Sequence, residues 1–275
     1  MKPILLIEQP KNCKVYERHD IVARVKDRLT IKLTDEHYVK DLNLNIKNIK
    51  FPMNLNLNAY IKNIETAKRY FKKESGYIAP RVWRKVDYNF YSKFQKDLLA
   101  YSITSTIQTI FRLNNKSIRS GCVVIYDPVD PSVYESVMTI SKFAKYIVFL
   151  TNNIPKAMTL SDYVMANYGI SPIVTKDKDY ALKLGDFIVT SKKENLKTEK
   201  PTWFLDNLFV GENSSLQYIN DVTYFTPWFG ENGISLELLG AILCQMEEKD
   251  VEKSLRYNGV YLNHILFNNK VLLFK

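Results

Sequence analysis

Two carboxylates stand close together where an apolar stretch of the sequence ends. Asp127 and Asp130 lie in the segment 127–131, Asp-Pro-Val-Asp-Pro, directly after the apolar residues 121–126. Asp-Pro pairs favour turns, and Ser132 can cap a following helix, so one interpretation of this segment is a structural turn. The pair of carboxylates also matters chemically, because two neighbouring negative charges repel a bound anion such as a phosphate group.

Uncharged polar side chains follow two later apolar stretches. They are Thr151, Asn152 and Asn153, with Lys156 nearby, after the first, and Thr190 and Ser191 after the second. Hydroxyl and amide groups of this kind hydrogen-bond small polar ligands and hold them in one orientation. The chemistry that these residues can perform depends on whether the fold brings the groups together.

The segment 117–191 predicts alternating strands and helices. Its strands are short apolar runs rich in β-branched residues, which is typical of strands buried on both faces. The predicted strands are 121–126, 146–150, 171–174 and 186–190, and the predicted helices are 132–143, 160–168 and 177–184. Repeated strand–helix–strand units cross over right-handed into a parallel sheet. We therefore expect an α/β fold with a parallel sheet and helices on both faces.

The remainder of the chain predicts a mixture of short strands and helices. Before residue 117 we expect an α+β domain with strands at 4–7, 20–25, 29–33 and 42–57, the last divided by Pro52. In the same domain we expect helices at 59–73 and 92–113 and an irregular segment at 77–91. After residue 200 we expect strands at 202–205, 208–210, 222–225 and 270–274, helices at 235–247 and 251–257, and a loop at 226–233. The expected domains are 1–116 and 117–275, and the C-terminal tail is expected to return to one of them.

The segment 121–191 resembles the nucleotide-binding core of Rossmann-type NAD(P) proteins, and in particular that of shikimate dehydrogenases and glutamyl-tRNA reductases. The resemblance rests on GCVVIYD at 121–127, YIVFLTNN at 146–153 and DYALKLGDFIVTS at 179–191. It covers about a quarter of the chain. It implies a Rossmann-like sheet with a binding crevice at the carboxyl ends of its strands.

The glycine fingerprint of that family is absent. Dinucleotide sites use G-x-G-x-x-G after the first strand, because glycine allows a tight turn and lets the backbone approach the pyrophosphate. The equivalent segment here contains Asp127, Val129, Asp130 and Ser132, with two prolines that lack N–H donors and with no glycine. The catalytic Lys/Asp pair of the dehydrogenases and the reactive Cys of the reductases match no stretch of this chain.

The resemblance also implies roles for the other polar groups. Thr151, Asn152 and Lys156 resemble the sites that accept the 2′-phosphate of NADP, and Asn153, Thr190 and Ser191 belong to the same expected crevice. A second resemblance, to haloacid-dehalogenase-like phosphatases, would make Asp127 a nucleophile and Asp130 an acid. That family uses D-x-D around Mg²⁺, whereas the spacing here is D-x-x-D.

Composition excludes several classes of protein. Hydrophobic residues make up 46% and charged residues 25% of the 275 residues, which is typical of a globular chain. The apolar runs are far shorter than the roughly 20 residues that span a bilayer, and the apolar stretch near the start is too short for a signal peptide. The three cysteines are widely spaced and predict neither a disulfide framework nor a metal site. We therefore expect a cytoplasmic protein with no membrane partner.

The charge is concentrated in the first part of the chain. Residues 1–120 contain 24 basic and 11 acidic residues, whereas 121–275 contain 15 and 18. The segment 60–96 combines ten basic residues with nine aromatic ones. Such a segment can bind nucleic acid through phosphate contacts and base stacking, and a basic half can also bind an acidic protein. The alternative is that these lysines lie on solvated helix faces or pair with the acidic half.

Three functional hypotheses remain. The leading one is a degenerate Rossmann-like protein, non-catalytic, that acts as a small-molecule-binding, regulatory or structural module and needs no cofactor. The second is an NADP-linked reductase or dehydrogenase with an atypical phosphate loop. The third is nucleic-acid binding through residues 60–96.

Overall fold

The computed structural model describes residues 1–9, 14–72, 74–210 and 217–273. The chain forms two compact units. The first comprises Met1–Gln95 and Tyr224–Tyr261, and the second comprises Lys96–Thr223 and Leu262–Lys275.

Strands and helices are numbered here in chain order. The strands are β1 (Ile4–Glu8), β2 (Lys32–Val39), β3 (Leu44–Lys50), β4 (Tyr77–Arg81), β5 (Cys122–Tyr126), β6 (Tyr146–Leu150), β7 (Ile173–Thr175), β8 (Phe187–Thr190), β9 (Thr202–Phe204), β10 (Tyr218–Ile219), β11 (Asp221–Thr226), β12 (Gly230–Ser235), β13 (Tyr261–Phe267) and β14 (Lys270–Val271). The helices are α1 (Ile21–Thr30), α2 (Leu57–Lys68), α3 (Arg84–Asp87), α4 (Lys93–Leu113), α5 (Tyr134–Ser141), α6 (Ile154–Tyr168), α7 (Lys178–Leu184), α8 (Leu236–Leu243) and α9 (Val251–Tyr257).

The first unit is built on a four-stranded sheet with the order β2-β3-β1-β4. Strand β1 is parallel to both β3 and β4, and β2 pairs antiparallel with β3 at the edge. The central position of β1 explains its run of apolar residues, because both of its faces are covered. Helix α8 is buried over its whole length and packs against β4 and β1. Apart from Glu237, its residues are apolar on all sides, and such a helix has to be buried.

The second unit contains a six-stranded sheet in which every neighbouring pair is parallel. Its order is β10-β9-β8-β5-β6-β7. When these six strands are renumbered 1 to 6 in chain order and the sheet is followed from β7 to β10, the order is 3-2-1-4-5-6. This is the strand order of the Rossmann fold. Helices α5, α6 and α7 connect the strands from β5 to β8. The prediction of a Rossmann-like parallel sheet flanked by helices is confirmed.

The observed units differ from the predicted division at residues 116 and 117. Nearly all of α4 lies in the second unit, where Phe111 packs edge-on against Phe187 of β8 with ring centroids 6.3 Å apart. Residues 224–261 lie in the first unit because α8 packs on its sheet. Each unit is therefore formed by two separate segments of the chain.

Three local predictions were wrong. Residues 20–25, predicted as a strand, begin helix α1, because the Asp20 carboxylate accepts a hydrogen bond from the Ala23 N–H at 2.7 Å and caps the helix. The segment 77–91, predicted as irregular, contains β4 and α3. Residues 208–210, predicted as a strand, form no strand. They lie in the connection between β9 and β10 of the six-stranded sheet.

A third sheet has the order β12-β11-β13-β14. Two of its strands, β12 and β13, lie in stretches for which no strand was predicted. Among the described residues, no helix is both long enough and apolar enough to cross a membrane.

Candidate functional site

A crevice of about 380 Å³ lies at the carboxyl ends of the parallel strands of the second unit. Its walls come from the residues that follow β5, β6 and β8. The lining residues are Tyr126, Asp127, Val129, Asp130, Pro131, Thr151, Asn152, Asn153 and Lys192. Six of the ten predicted site residues therefore line one crevice, and Ser132, Lys156, Thr190 and Ser191 do not.

Asp127 occupies the turn directly after β5 with its backbone in the left-handed region, at φ +62°. This is the region that favours glycine, and aspartate is one of the few other residues that tolerates it. The Asp127 N–H donates to the Leu150 carbonyl at 2.8 Å, which ties the turn to the end of β6. Asp127 thus makes the tight turn that glycine makes in dinucleotide-binding proteins, and adds a carboxylate to it.

The carboxylate of Asp127 has partners on both sides of the crevice. Oδ1 accepts a hydrogen bond from the Thr151 hydroxyl at 3.3 Å, and Oδ2 lies 2.7 Å from Nζ of Lys192. Of the three residues in this contact, Asp127, Thr151 and Lys192, only Lys192 was not predicted as a site residue. The signal was available, because Lys192 follows Thr190 and Ser191 directly at the end of the predicted fourth strand.

Asp130 caps the turn that leads into α5. Its Oδ1 accepts hydrogen bonds from the Ser132 N–H at 2.9 Å and from the Ser132 hydroxyl at 2.7 Å. Pro131, at the start of this 3₁₀ turn, has no N–H to offer. The capping residue is therefore Asp130 and not Ser132, which is buried and lies outside the crevice wall.

The residues after β6 are engaged in local structure. Thr151 is buried, and its hydroxyl accepts the Asn153 N–H at 3.1 Å while it donates to Asp127. The Asn153 side chain caps α6 through the Lys156 N–H at 3.4 Å. Lys156 itself is exposed on α6 and does not line the crevice. Asn152 is exposed at the crevice wall.

Thr190 and Ser191 lie behind the crevice wall, and both are buried. The Thr190 hydroxyl accepts the Lys192 N–H at 3.0 Å. This contact fixes the backbone from which the Lys192 side chain reaches Asp127. Thr190 therefore positions a crevice residue, and neither Thr190 nor Ser191 forms the wall.

Tyr126 belongs to a second charged group beside the crevice. Its hydroxyl donates to Oε2 of Glu194 at 3.0 Å, and Glu194 also forms an ion pair with Lys178. Burial and the Glu194 carboxylate raise the pKa of Tyr126 to about 12. The hydrogen bond from Lys178 lowers the pKa of Glu194. Tyr126 therefore stays protonated at neutral pH and acts as a hydrogen-bond donor.

The start of α5 differs from the phosphate-binding turn of dinucleotide sites. In Rossmann proteins the pyrophosphate is bound by free N–H groups at the start of the helix that follows the first strand. Here the Ser132 N–H is already bonded to Asp130, and Pro131 has none. The lining side chains supply two carboxylates and a single lysine, and that lysine is paired with Asp127.

The structure also bears on the resemblance of Asp127 and Asp130 to the carboxylates of haloacid-dehalogenase-like phosphatases. The carboxylates of Asp127 and Asp130 are engaged with Lys192 and Ser132, and no metal-binding cluster of three His, Cys, Asp or Glu residues occurs within the described ranges.

The predicted loop at 226–233 is a turn followed by β12. As predicted, Ser235 caps the next helix, through the Leu238 N–H at 3.3 Å.

The aromatic residues of the basic segment 60–96 are buried or partly buried. None of the nine is exposed, and Tyr60, Phe71, Tyr88, Tyr91 and Phe94 are buried. Arg84 is also buried and forms an ion pair with Glu237 at 2.9 Å. The five buried rings thus lack the open faces that base stacking requires, and Tyr70, Tyr77, Trp83 and Phe90 are partly exposed. Binding of nucleic acid or of an acidic protein by the basic half stays a prediction.

No protein-family model and no curated protein matches this chain. Several solved structures resemble it weakly. A shikimate dehydrogenase in complex with NADP⁺ is 13% identical at a TM-score of 0.42, with 93% of each chain covered. The shikimate dehydrogenase from Aquifex aeolicus is 11% identical at 0.39, covering 93% of this chain and 97% of the other. The ornithine carbamoyltransferase from Pyrococcus furiosus is 14% identical at 0.37, covering 94% and 84%. These values are too low to indicate a function.

Proposed function

We propose that this chain is a Rossmann-type small-molecule-binding protein whose crevice accepts an uncharged polar molecule, and that it is not a dinucleotide-dependent dehydrogenase. The observation that carries the proposal is the position of Asp127 and Asp130. They stand where a dinucleotide site offers glycine and free N–H groups to a doubly charged pyrophosphate.

The same crevice suits an uncharged ligand. Asn152 offers an amide group, and the paired Asp127 and Lys192 offer a carboxylate and an ammonium group, all in the lining of one crevice. Mixed donors and acceptors hydrogen-bond hydroxyl and amide groups without an excess of positive charge. A volume of about 380 Å³ lies near the lower end of the range for small-molecule sites.

Titration of the purified protein with NADPH and then NADH tests the proposal. We expect no heat of binding at micromolar cofactor and no shift of the thermal transition. A ligand at 100 times its Kd would raise the free energy of unfolding by about 2.7 kcal/mol, so both measurements are sensitive to binding. Micromolar affinity for either cofactor would overturn the proposal.

The same titration addresses the NADP-linked alternative. That hypothesis predicts that Thr151, Asn152 and Lys156 contact the 2′-phosphate, so that Lys156→Glu weakens NADPH much more than NADH. The structure supports it less, because Thr151 is bonded to Asp127 and Lys156 lies outside the crevice wall.

A further inference from the structure

The outward face of α1 carries a stripe of exposed aliphatic side chains. Ile21, Val22, Val25 and Leu29 are 77, 71, 54 and 77% exposed. With about 100° of rotation per residue, the four fall within an arc of about 100° on one side of the helix. Single exposed aliphatic residues are ordinary on protein surfaces, but a continuous stripe indicates an interaction surface. We call these four residues the α1 stripe.

The opposite face fixes α1 to the first unit, so that the stripe must point outward. Ala23 and Asp27 are the buried residues of the helix. The Asp27 carboxylate accepts hydrogen bonds from the side-chain amides of Asn54 and Asn63, each at 2.9 Å, and from the Tyr16 hydroxyl. A helix held by this buried polar contact cannot turn its aliphatic face inward without breaking these hydrogen bonds.

Basic residues border the α1 stripe on both sides. Arg24 and Arg28 lie along one edge and Lys26 along the other, and all three are exposed. The acidic residue of the helix, Asp27, is on the buried face. From Lys14 to Lys32 the sequence has six basic and three acidic residues. Along α1 itself the exposed surface is therefore aliphatic in the centre and cationic at the borders. The exposed acidic residues of this stretch, Glu17 and Asp20, precede the helix, and Asp20 forms an ion pair with Arg18 at 2.7 Å.

This charge pattern argues against a second copy of the chain as the occupant. Two copies that met through their α1 stripes would bring Arg24, Lys26 and Arg28 close to the same cations of the other copy. Like charges that face each other across an interface reduce affinity. The occupant must therefore be apolar and anionic.

We propose that α1 docks the protein on the surface of a bilayer that contains anionic lipids. An amphipathic helix with an aliphatic face and basic borders lies in the plane of the membrane interface, with its apolar side chains at the acyl boundary and its cations among the headgroup phosphates. The α1 stripe has exposed cations on both sides, which matches a continuous anionic plane. An acidic partner helix would need its carboxylates aligned with these edges.

This proposal revises the expectation that the chain has no membrane partner. That expectation rested on the absence of an apolar run of spanning length. A helix that lies in the interface needs no such run, because it does not cross the bilayer. The proposal is independent of the crevice in the second unit.

Co-sedimentation with vesicles tests the proposal. We expect the intact protein to bind vesicles of equimolar phosphatidylcholine and phosphatidylglycerol at low salt, to bind less as salt is raised, and to bind pure phosphatidylcholine much more weakly. The double variant Val25→Ser/Leu29→Ser should lose affinity for the mixed vesicles by at least about tenfold, because two aliphatic side chains no longer enter the interface.

Matched variants separate the α1 stripe from general effects. Leu57→Ser/Leu113→Ser removes two aliphatic residues that are 51 and 52% exposed elsewhere, and it should leave binding unchanged. Arg24→Gln/Arg28→Gln should weaken binding and flatten its salt dependence more than Lys142→Gln/Lys145→Gln, which removes two exposed lysines of the second unit. Circular dichroism melting curves establish that each variant is folded.

Four results would overturn the proposal. One is a lack of binding to the mixed vesicles at low salt, and another is unchanged binding by Val25→Ser/Leu29→Ser. The third is binding to a synthetic helical peptide with a leucine stripe and glutamate borders without binding to vesicles, which would assign the α1 stripe to an acidic protein partner. The fourth is a dimer in sedimentation equilibrium that Val25→Ser/Leu29→Ser abolishes, which would assign it to a second copy.

Discussion

The Nζ atom of Lys192 lies 2.7 Å from Oδ2 of Asp127, and this ion pair joins the loop after β8 to the loop after β5. These two neighbouring strands mark the place where the order of the parallel sheet reverses. Rossmann proteins bind their ligands in the crevice at this place. The carboxylate of Asp127 and the ammonium group of Lys192 thus neutralise each other at the place where a dinucleotide, which is negatively charged, would bind.

Removal of the two carboxylates should make the crevice more receptive to a diphosphate. In the double variant Asp127→Asn/Asp130→Asn, Lys192 loses its partner, and two negative charges no longer face the ligand. We expect the affinity for ADP to rise by about tenfold or more relative to the parent protein, since one charge pair near a surface is worth a few kcal/mol. Calorimetric titration with ADP measures this change.

The control for that experiment is Asp162→Asn, which removes an exposed carboxylate from α6 outside the crevice wall. It should leave the affinity for ADP as it is in the parent protein. If the double variant also leaves it unchanged, the carboxylates do not exclude the pyrophosphate.

The backbone at Asp127 gives a second prediction. Asp127→Ala and Asp127→Gly both lose the contacts to Thr151 and Lys192, but only alanine is strained at φ +62°. We expect the alanine variant to have a free energy of unfolding about 1 kcal/mol lower than the glycine variant. The ion pair itself contributes at most about 1 kcal/mol, because Lys192 is largely exposed.

Urea unfolding curves measure this difference. Gly169→Ala provides the comparison, since Gly169 ends α6 at φ +70° with no atom within 4 Å of an added Cβ. Gly169→Ala should lower the free energy of unfolding by a similar amount, because of backbone strain alone. Equal stability of the two Asp127 variants would contradict the strained turn.

The buried ion pair of the first unit gives a third prediction. Arg84 and Glu237 are 1 and 0% exposed, and Tyr91 and both contacting nitrogens of Arg84 bond to the same oxygen of Glu237. Glu237→Leu leaves a buried charge without this partner and should lower the free energy of unfolding by about 3–5 kcal/mol. Arg84→Met/Glu237→Leu should be more stable than Glu237→Leu alone, because the uncompensated charge is removed. Additive losses in urea unfolding would argue against coupling.

The fourth prediction concerns pH. Burial raises the pKa of Asp87 to about 7, despite hydrogen bonds from the Tyr60 hydroxyl and from the N–H groups of Val82 and Trp83. The folded state therefore binds the proton more tightly than the unfolded state. The stabilising effect of this proton is complete below about pH 4 and is lost as the pH rises to about 7. The free energy of unfolding falls by about 1.4 kcal/mol for each unit by which the pKa of Asp87 in the folded state exceeds that in the unfolded state.

Asp87→Asn cannot titrate, so it should lack this part of the pH dependence. The measurement is the free energy of unfolding of both proteins between pH 4 and pH 7. The parent protein should lose stability relative to the variant as the pH rises. Parallel curves would show that Asp87 does not have a raised pKa.

Some of the fold could be read from the sequence because local patterns determined it. The runs ending at Tyr126 and Leu150 are apolar on both faces, and only a covered parallel strand places both faces in a core. By contrast, residues 20–25 were misread, because alternation over so few residues does not distinguish a strand from an amphipathic helix. The cap at Asp20 and the buried contacts of Asp27 decide for the helix.

The sequence by itself determined the Rossmann-like sheet and the polar residues at the ends of its strands, because hydrophobic periodicity and turn chemistry act within a few residues. Only the tertiary structure decided how those residues are used. It brought Lys192 to Asp127 across 65 positions of sequence, buried five of the nine aromatic residues of 60–96, and left the α1 stripe on the surface. These outcomes depend on which strands become neighbours and which helix face meets a core, and such long-range contacts are not written in any local pattern.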